Sequence, residues 1–408
     1  MIRYIFIAMM VLSLAYNFLR YVLIRKQHRK PLPKTVRDIY DKKEYARWLE
    51  YQDANQRVDL IESVVSTCAG LVLFSTNALA WMYSRFALGE LGQSCLLLCI
   101  YFLICELVSL PFEYIKRFKI EEKYGMNRCS VKTFVVDMVR EYVIYAVLFC
   151  IICGLYVLAY HFFEDQVVLV TSAAMAALII ALNLIGTLFV NAGNKLVPLE
   201  DGSLKTKLTE LFENEGCHLK EIYVRDDSLR TTKANAYTMG IGKQKKIVLS
   251  DNLFGRYTEE EIVAFFAHEL GHYKHHDMPK LMVMNVVKML VWNFAMCAVL
   301  LIPQISMAFG FTGACAAFAV ITVMGSSVFS PVHIALTAFC SLAGKSGEYR
   351  ADEMAVDNGY GEALITGFRK LAKENLSDLN PHPVLLAMEN EHPPIHKRIE
   401  EIHARMKK

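Results

Sequence analysis

The chain has 408 residues, of which 54% are hydrophobic, and its net charge is +3. With a mean hydropathy of +0.28, this composition excludes an ordinary soluble protein of such length and indicates a membrane protein. The small net charge gives no indication of a nucleic-acid partner. All of the 11 cysteines except Cys129 and Cys217 lie in or beside apolar stretches, so neither a disulfide framework nor a cysteine zinc site is expected.

About seven apolar stretches reach the length of roughly 20 residues that a helix needs to cross a bilayer. They comprise residues 4–24, 60–83, 95–112, 143–163, 168–189, 281–305 and 314–342. The first is longer than the apolar part of a signal peptide, and Arg25 and Lys26 follow it in place of a cleavage site of small residues. We therefore expect it to remain as a membrane anchor.

Lysine and arginine are concentrated in two of the predicted loops, residues 25–47 and 116–132, whereas the alternate loops are short and carry few of them. The positive-inside rule then places these loops, the segment between the fifth and sixth spans, and the C-terminus in the cytosol. Four parts follow from this order: a membrane domain of five helices (1–192), the first part of a polar domain (193–279), two membrane helices (280–343) and a second polar part (344–408).

The first polar part shows two kinds of periodicity. Residues 203–214 repeat apolar side chains at helical spacing, and residues 221–224 and 246–249 have the composition of short strands. Residues 235–239 lie between these strands, with Gly240 and Gly242 as the expected turn. The predicted fold is therefore mainly α, with a small β element that has at least one free edge.

The next helix carries the clearest chemical signal. It begins near Thr258, which forms an S/T-x-x-E capping box with Glu261. It continues into His268-Glu269-Leu270-Gly271-His272, a match to H-E-x-x-H. A spacing of four residues places both imidazoles on one helix face, which suits two ligands of one Zn²⁺. Glu269 is then placed to act as general base toward a zinc-activated water.

A third ligand is expected from another segment, and Glu348 is the best candidate. It lies near the start of a helix predicted from about Ser346, and Asp352 follows one turn later on the same face. A glutamate ligand and an aspartate that accepts a hydrogen bond from a ligand histidine form a reasonable pair. We interpret His275 and His276 as cations at a helix C-terminus rather than as ligands. From the residues alone, His392 and Arg398 are interpreted as surface residues.

These motifs, in this order, resemble the type I CaaX prenyl proteases, membrane zinc endopeptidases that process prenylated proteins at their C-termini. The resemblance covers nearly the whole chain. It runs through Pro111 and residues 120–127 (IEEKYGMN), residues 197–202 (VPLEDG), Asn235-Ala236-Tyr237, the zinc helix with Lys274 and His276, residues 348–352 (EYRAD), and His392-Pro393-Pro394 followed by Arg398.

The resemblance implies roles for particular residues. Glu348 would be the third zinc ligand, and Asp352 would orient a ligand histidine. His392 and Arg398 would stabilise the oxyanion of the transition state or bind the peptide, and Asn235, Ala236 and Tyr237 would hold the substrate as an added strand. It also implies seven helices around a chamber, capped by a zincin-like catalytic domain on the cytosolic side.

The family further implies a prenylated peptide or protein as substrate, one zinc ion per chain and a monomer in the endoplasmic reticulum of a eukaryote or the plasma membrane of a bacterium.

Three other classes of membrane protein are alternatives. A quality-control membrane protease of the same zinc type has fewer spans before the motif. A site-2-type protease buries the motif inside a span, whereas here it lies between Glu259 and Asp277 in a polar segment. A transporter or receptor would need a structural zinc site with a fourth ligand.

Overall fold

The computed structural model describes residues 1–190, 194–217, 221–239, 246–311, 330–389 and 392–408. Helices dominate these residues, and one small sheet interrupts them. The helices are α1 (Ile2–His28), α2 (Lys42–Ser75), α3 (Ala78–Arg85), α4 (Glu90–Ile115), α5 (Val131–Phe163), α6 (Val167–Val190), α7 (Ser203–Asn214), α8 (Glu259–Lys274), α9 (Asp277–Leu301), α10 (Pro303–Ala308), α11 (Ser330–Asp357), α12 (Gly361–Glu374), α13 (Pro383–Glu389) and α14 (Ile395–Met406).

Five helical stretches of the described residues are long and apolar enough to cross a membrane. They are Ile2–His28, Lys42–Ser75, Glu90–Glu121, Val131–Leu182 and Pro279–Ala298. The fourth stretch contains both α5 and α6, which are joined by a short 3₁₀ turn at Glu164–Gln166. Six of the predicted spans therefore fall on these stretches. The seventh, residues 314–342, lies largely outside the described residues, and α11 begins within it.

The second predicted span differs from the structure in its limits. α2 begins at Lys42 and ends at Ser75, and the separate helix α3 follows. The break has a local cause: Asn77 adopts a left-handed conformation with φ of 49°, and the Thr76 hydroxyl donates to the carbonyl of Val72. Asparagine tolerates this conformation better than most residues. A reading of hydrophobicity alone does not detect such a break.

The sheet contains four strands in the order β1 (Leu196–Pro198), β2 (Glu221–Arg225), β4 (Lys246–Ser250) and β3 (Ala236–Met239). β2 and β4, the two predicted strands, pair in parallel, whereas β1 and β3 pair antiparallel with their neighbours. β3 is consequently an edge strand, as the expectation of a free edge requires. The turn expected at Gly240 and Gly242 lies outside the described residues. The helix predicted at residues 203–214 is confirmed by α7.

The helix that carries Glu348 begins earlier than predicted. The expectation of a start near Ser346 is wrong, because α11 is one continuous helix from Ser330 to Asp357. Gly344 and Gly347 do not interrupt it. A side-chain carbon at Gly347 would come within 2.9 Å of Asp277 Oδ2, so glycine is needed there for close packing. Helix propensity gives way to tertiary packing at this position.

The core of the polar domain includes a segment from the N-terminal part of the chain. Trp48 of α2 is fully buried in the same cluster as Leu208, Leu249 and Phe266. Its indole Nε1 donates to the carbonyl of Leu376 at 3.0 Å. Val36 and Ile39, in the linker between α1 and α2, belong to the same cluster, so this predicted basic loop contributes to the core of the polar domain. The domain boundary at residue 192 remains a prediction.

Candidate metal centre

Helix α8 presents the H-E-x-x-H motif from a buried position. The capping box predicted at its N-terminus is present, since Thr258 Oγ1 accepts from the N–H of Glu261 and Glu261 Oε2 accepts from the N–H of Thr258. Gly271 allows α11 to approach, because a Cβ there would lie 2.5 Å from Ala351 Cα. This close crossing brings the motif of α8 against the carboxylates of α11.

The three predicted ligands converge. His272 Nε2 lies 3.3 Å from Glu348 Oε1, and His268 Nε2 lies 3.6 Å from Glu348 Oε2. One ligand atom from each of the three residues lies within 4.8 Å of the other two. His268 and Glu348 are buried, with exposed fractions of 8% and 5%. The structure thus gathers two imidazole nitrogens and one carboxylate around a common point.

Each histidine is held through its other ring nitrogen. His268 Nδ1 donates to Asp352 Oδ1 at 2.9 Å, as expected for Asp352. His272 Nδ1 donates to Asp277 Oδ2 at 3.1 Å. These bonds fix both rings with Nε2 turned toward Glu348. They also hold the proton on Nδ1, which is the tautomer that a metal ligand binding through Nε2 requires.

Asp277 was not identified from the sequence. It is the first residue of α9, 8% exposed, and its Oδ1 accepts from Arg350 Nη2 at 2.9 Å and from Lys280 Nζ at 3.2 Å. The available signal was an acidic residue shortly after the second histidine, just past the end of the motif helix. The turn that folds it back contains His276 at a φ of 53°, and such a turn is hard to foresee from composition.

Arg398 is buried, not exposed as the residues alone suggested. Its Nε donates to Asp352 Oδ2 at 2.8 Å and its Nη2 to Asp352 Oδ1 at 2.6 Å, while Nη1 lies 3.2 Å from Glu348 Oε2. Its guanidinium carbon lies 4.2 Å from the centre of the Phe368 ring. Burial raises the pKa of Asp352, but Arg398 and His268 outweigh burial and hold it below its usual value. Asp352 therefore stays ionised.

Positive charge is stabilised at the point where the ligands meet. Burial lowers the pKa of His272, but the hydrogen bond and charge of Glu348 outweigh it and raise the pKa to about 9. Burial raises the pKa of Glu348, whereas His272, His392 and Arg398 hold it well below its usual value. The electric field here favours a cation beside an ionised carboxylate.

His392 and Glu269 flank this centre. The exposed His392 places Nδ1 2.8 Å from Glu348 Oε1, and this contact raises the pKa of His392. Glu269 is half-buried between the two histidines of its helix. Its charge contributes to the raised pKa values of His272 and Arg398, which places it within electrostatic reach of both.

The donor set fits a divalent metal. Two imidazoles and one carboxylate are the three protein ligands of one class of catalytic zinc site. Glu348 Oε2 is buried and accepts no hydrogen bond from the described residues, so this atom retains a lone pair for a metal. His275 and His276 lie in the turn between α8 and α9, and neither belongs to a three-residue metal cluster within the part of the chain that is described.

Strand β3 packs against α8, the helix that carries the H-E-x-x-H motif. The N–H of Ser250 donates to the carbonyl of Asn235 at 2.9 Å, and Ala236 pairs with Leu249. In an antiparallel ladder this register directs the N–H and C=O of Ala236 away from β4, toward the open edge. The Asn235 side chain accepts from that N–H at 2.9 Å, and Tyr237 accepts from Arg225 Nη1 at 3.1 Å.

Comparison with protein families gives two matches that together span most of the chain. Residues 198–406 match the family model described as peptidase family M48. Residues 21–191 match the model described as CAAX prenyl protease N-terminal, five membrane helices.

Individual relatives agree with these matches. A probable CAAX prenyl protease 1 of Schizosaccharomyces pombe is 28% identical over 392 residues, which cover 92% of this chain and 82% of the relative. CAAX prenyl protease 1 of Saccharomyces cerevisiae is 25% identical over 411 residues, covering 94% and 91%. The crystal structure of S. mikatae Ste24p superposes with a TM-score of 0.90 at 23% identity, covering 98% of this chain and 99% of that one. The overall fold is therefore that of Ste24p.

Proposed function

This chain belongs to peptidase family M48 and is a membrane-embedded metalloendopeptidase; from that premise we propose that its metal is zinc and that it cleaves prenylated CaaX-type proteins near their C-termini. The observation that carries the proposal is the convergence of His268, His272 and Glu348, with Glu269 on the same helix as the two histidines. The names of the relatives, CAAX prenyl protease 1, support this substrate class.

His268 and His272 would bind the metal through Nε2, and Glu348 through its carboxylate. Bound zinc would supply a Lewis acid that lowers the pKa of a water molecule to about 7. Glu269 would act as the general base toward the attacking water and then as the general acid toward the leaving amine. Asp352 and Asp277 keep the two imidazoles in the ligand tautomer throughout.

Arg398 and His392 serve different purposes in this scheme. Two of the Arg398 nitrogens are engaged by Asp352, so its guanidinium positions Asp352 and balances the charge of Glu348. This geometry favours a positioning role for Arg398 over direct contact with the peptide. His392 is exposed and carries a raised pKa, and a protonated imidazole there can donate to the oxyanion or to a peptide carbonyl.

The substrate would bind as an extended strand along β3. The outward N–H and C=O of Ala236 offer one donor and one acceptor to a peptide, and the Asn235 side chain would release that N–H on binding. Main-chain pairing of this kind needs no particular sequence, which suits a protease that accepts varied C-termini. Tyr237 and Arg225 form the adjacent surface.

The membrane helices would enclose a chamber below the catalytic domain, as in the expected seven-helix arrangement. A cavity of about 700 Å³ supports this, because charged residues of α2, α4 and α5 line it, among them Glu62, Glu106 and Glu141. The positive-inside rule, applied to the basic residues 25–47, supports a cytosolic position for the catalytic domain. The family resemblance further favours a monomer in the endoplasmic reticulum of a eukaryote or the plasma membrane of a bacterium.

A cleavage assay on matched peptides tests the proposal. The purified chain is given a CaaX peptide with a farnesyl thioether and the same peptide with an S-methyl cysteine, with and without a zinc chelator. We expect faster cleavage of the farnesylated peptide, loss of activity with chelator and recovery with Zn²⁺. Equal cleavage of both peptides would instead favour a general quality-control protease. Zinc binding without cleavage of either would favour a transporter or receptor.

A further inference from the structure

A second cavity lies outside the catalytic centre, where α1 leaves the predicted membrane region. Its volume is about 620 Å³. The last turn of α1, the start of the linker and one face of α2 line it with cationic, apolar and polar side chains, including Arg25, Arg29, Lys30, Tyr45 and Gln56. The mechanism proposed above uses none of these residues.

The cavity has an excess of positive charge. Asp53 is the one acidic residue in its lining, and it already pairs with Arg25 at 3.2 Å and with Arg57 at 2.7 Å. Arg29 and Lys30 are exposed, and Lys30 Nζ donates to the neutral amide oxygen of Gln27 at 2.9 Å. The lining therefore retains cationic groups that no acidic residue of the lining balances.

Gln56 favours a ligand that supplies a hydrogen-bond donor. Its side chain is 8% exposed, and its Oε1 is buried and accepts no hydrogen bond from any residue the structure describes. A buried acceptor without a partner costs about 1–3 kcal/mol. A ligand that fits this cavity would thus carry negative charge for the cations and a hydroxyl group for Gln56.

The apolar surface that leads to the cavity indicates where such a ligand comes from. Phe18, Leu19 and Val22 of α1 are exposed by 57%, 52% and 42%, so this face would contact lipid chains. Residues 18, 22, 25 and 29 follow one another at helical spacing of three or four. Apolar side chains and then cations thus line one face of α1, in the order in which a phospholipid presents its chains and its headgroup.

We propose that this cavity binds the headgroup of a phospholipid that carries both phosphate and hydroxyl groups, of the phosphatidylinositol type. The phosphate contacts Arg29 and Lys30, and a ring hydroxyl donates to Gln56 Oε1. Basic sites between membrane helices at this depth are suited to such headgroups. His28 pairs with Asp378 at 3.0 Å and Tyr45 packs against the catalytic-domain core, so the bound lipid also stabilises the junction of the two domains.

Lipid retention by the full-length protein tests the proposal without reference to proteolysis. The protein in neutral detergent is mixed with equal amounts of phosphatidylinositol, phosphatidylserine and phosphatidylcholine, and retained lipid is measured by native mass spectrometry. We expect phosphatidylinositol to be retained most strongly. Arg29→Gln combined with Lys30→Gln should weaken its retention roughly 30-fold, as for two cations near an anionic surface. Gln56→Leu should reduce the preference for phosphatidylinositol over phosphatidylserine roughly twofold to tenfold.

Lys407→Gln combined with Lys408→Gln is the matched control. It removes the same charge from two exposed residues that follow α14, neither of which lines the cavity. Retention should therefore be unchanged. Equal losses in both double variants would overturn the proposal, because diffuse charge would then explain binding. So would displacement of the lipid by an equimolar soluble inositol phosphate, or equal retention of all three lipids.

Discussion

The metal centre and the β3 edge both involve α8, yet they are built in opposite ways. At the centre, every ligand has a fixed partner: Asp352 holds His268, Asp277 holds His272, and Glu348 is buried among cations. At the edge, the N–H of Ala236 donates to the side chain of its neighbour Asn235 and has no strand partner among the described residues. His392 is likewise exposed.

This difference separates two requirements of a peptidase. The position of a metal must be reproduced closely, because a hydrolytic site depends on aligned ligands and base. The position of an extended peptide can vary, because main-chain pairing accepts many side chains. We therefore expect substitutions at the centre to act on metal content and catalytic rate, and substitutions at the edge to act mainly on KM.

Removal of the third ligand should have the largest effect. Glu348→Gln leaves Arg398, His272 and His392 without their shared carboxylate, so both metal binding and stability should suffer. We expect zinc content near zero and a loss of activity of more than about 10⁴-fold. The control is Glu353→Gln, which neutralises an exposed carboxylate on the same helix. A Glu348→Gln protein that binds zinc and remains active would contradict the role of Glu348 as a ligand.

Disruption of the close packing between α8 and α11 should have an effect nearly as large as removal of the third ligand. Gly271→Ala places a methyl group 2.5 Å from Ala351 Cα, so α11 must move and take Glu348 with it. We expect a free energy of unfolding lower by about 1–3 kcal/mol and reduced zinc affinity. Thermal unfolding with and without zinc would measure both. Gly202→Ala, at a position where a Cβ meets no atom within 4 Å, is the control.

Substitution of Asp277 should have an intermediate effect on metal affinity and would test whether Asp277 holds His272 as a ligand. Asp277→Asn weakens the bond to His272 Nδ1 while it keeps the size of the side chain. Outer partners of this kind contribute about 10- to 100-fold to metal affinity. Chelator competition would give the dissociation constant, and the visible spectrum of the Co²⁺-loaded protein would report ligand geometry. Unchanged affinity together with an unchanged spectrum would show that Asp277 supports only the fold.

The smallest effect is expected at the edge. Ala236→Pro removes the outward N–H from β3 but no bond to β4. Loss of one hydrogen bond to the peptide should raise KM roughly twofold to tenfold with kcat little changed. Leu196→Pro is the control, because the N–H of Asp226 donates to the carbonyl of Lys195 and the peptide groups of Leu196 consequently face the opposite edge of the sheet. Equal effects of the two prolines would argue against strand addition at β3.

Local patterns in the sequence predicted much of this site. The capping box at Thr258, the spacing of His268 and His272, and the pairing of Glu348 with Asp352 are all short-range features, and the structure shows each of them. They succeed because a helix converts a spacing of four residues into a shared face.

What the sequence did not reveal depends on contacts between distant segments. Val36 and Ile39 lie in a segment predicted as a basic loop, yet they are buried with residues more than 150 positions away. Within the continuous helix α11, Gly347 packs closely against Asp277 of α9, a contact between distant segments. The contact of Asp277 with His272 is shorter in range, but it depends on the left-handed turn at His276, which composition does not predict. Arg398 was assigned to the surface from its position in a polar tail, and burial became visible only with Asp352 and Phe368 around it.

The central claim is that two imidazoles and a carboxylate hold zinc while Glu269 transfers the proton. The most direct measurement is the cleavage rate of Glu269→Gln protein whose zinc content has been matched to that of the wild type. The account predicts full zinc occupancy with a rate reduced by at least about 10²- to 10⁴-fold. Cleavage at the wild-type rate by the zinc-loaded variant would contradict it.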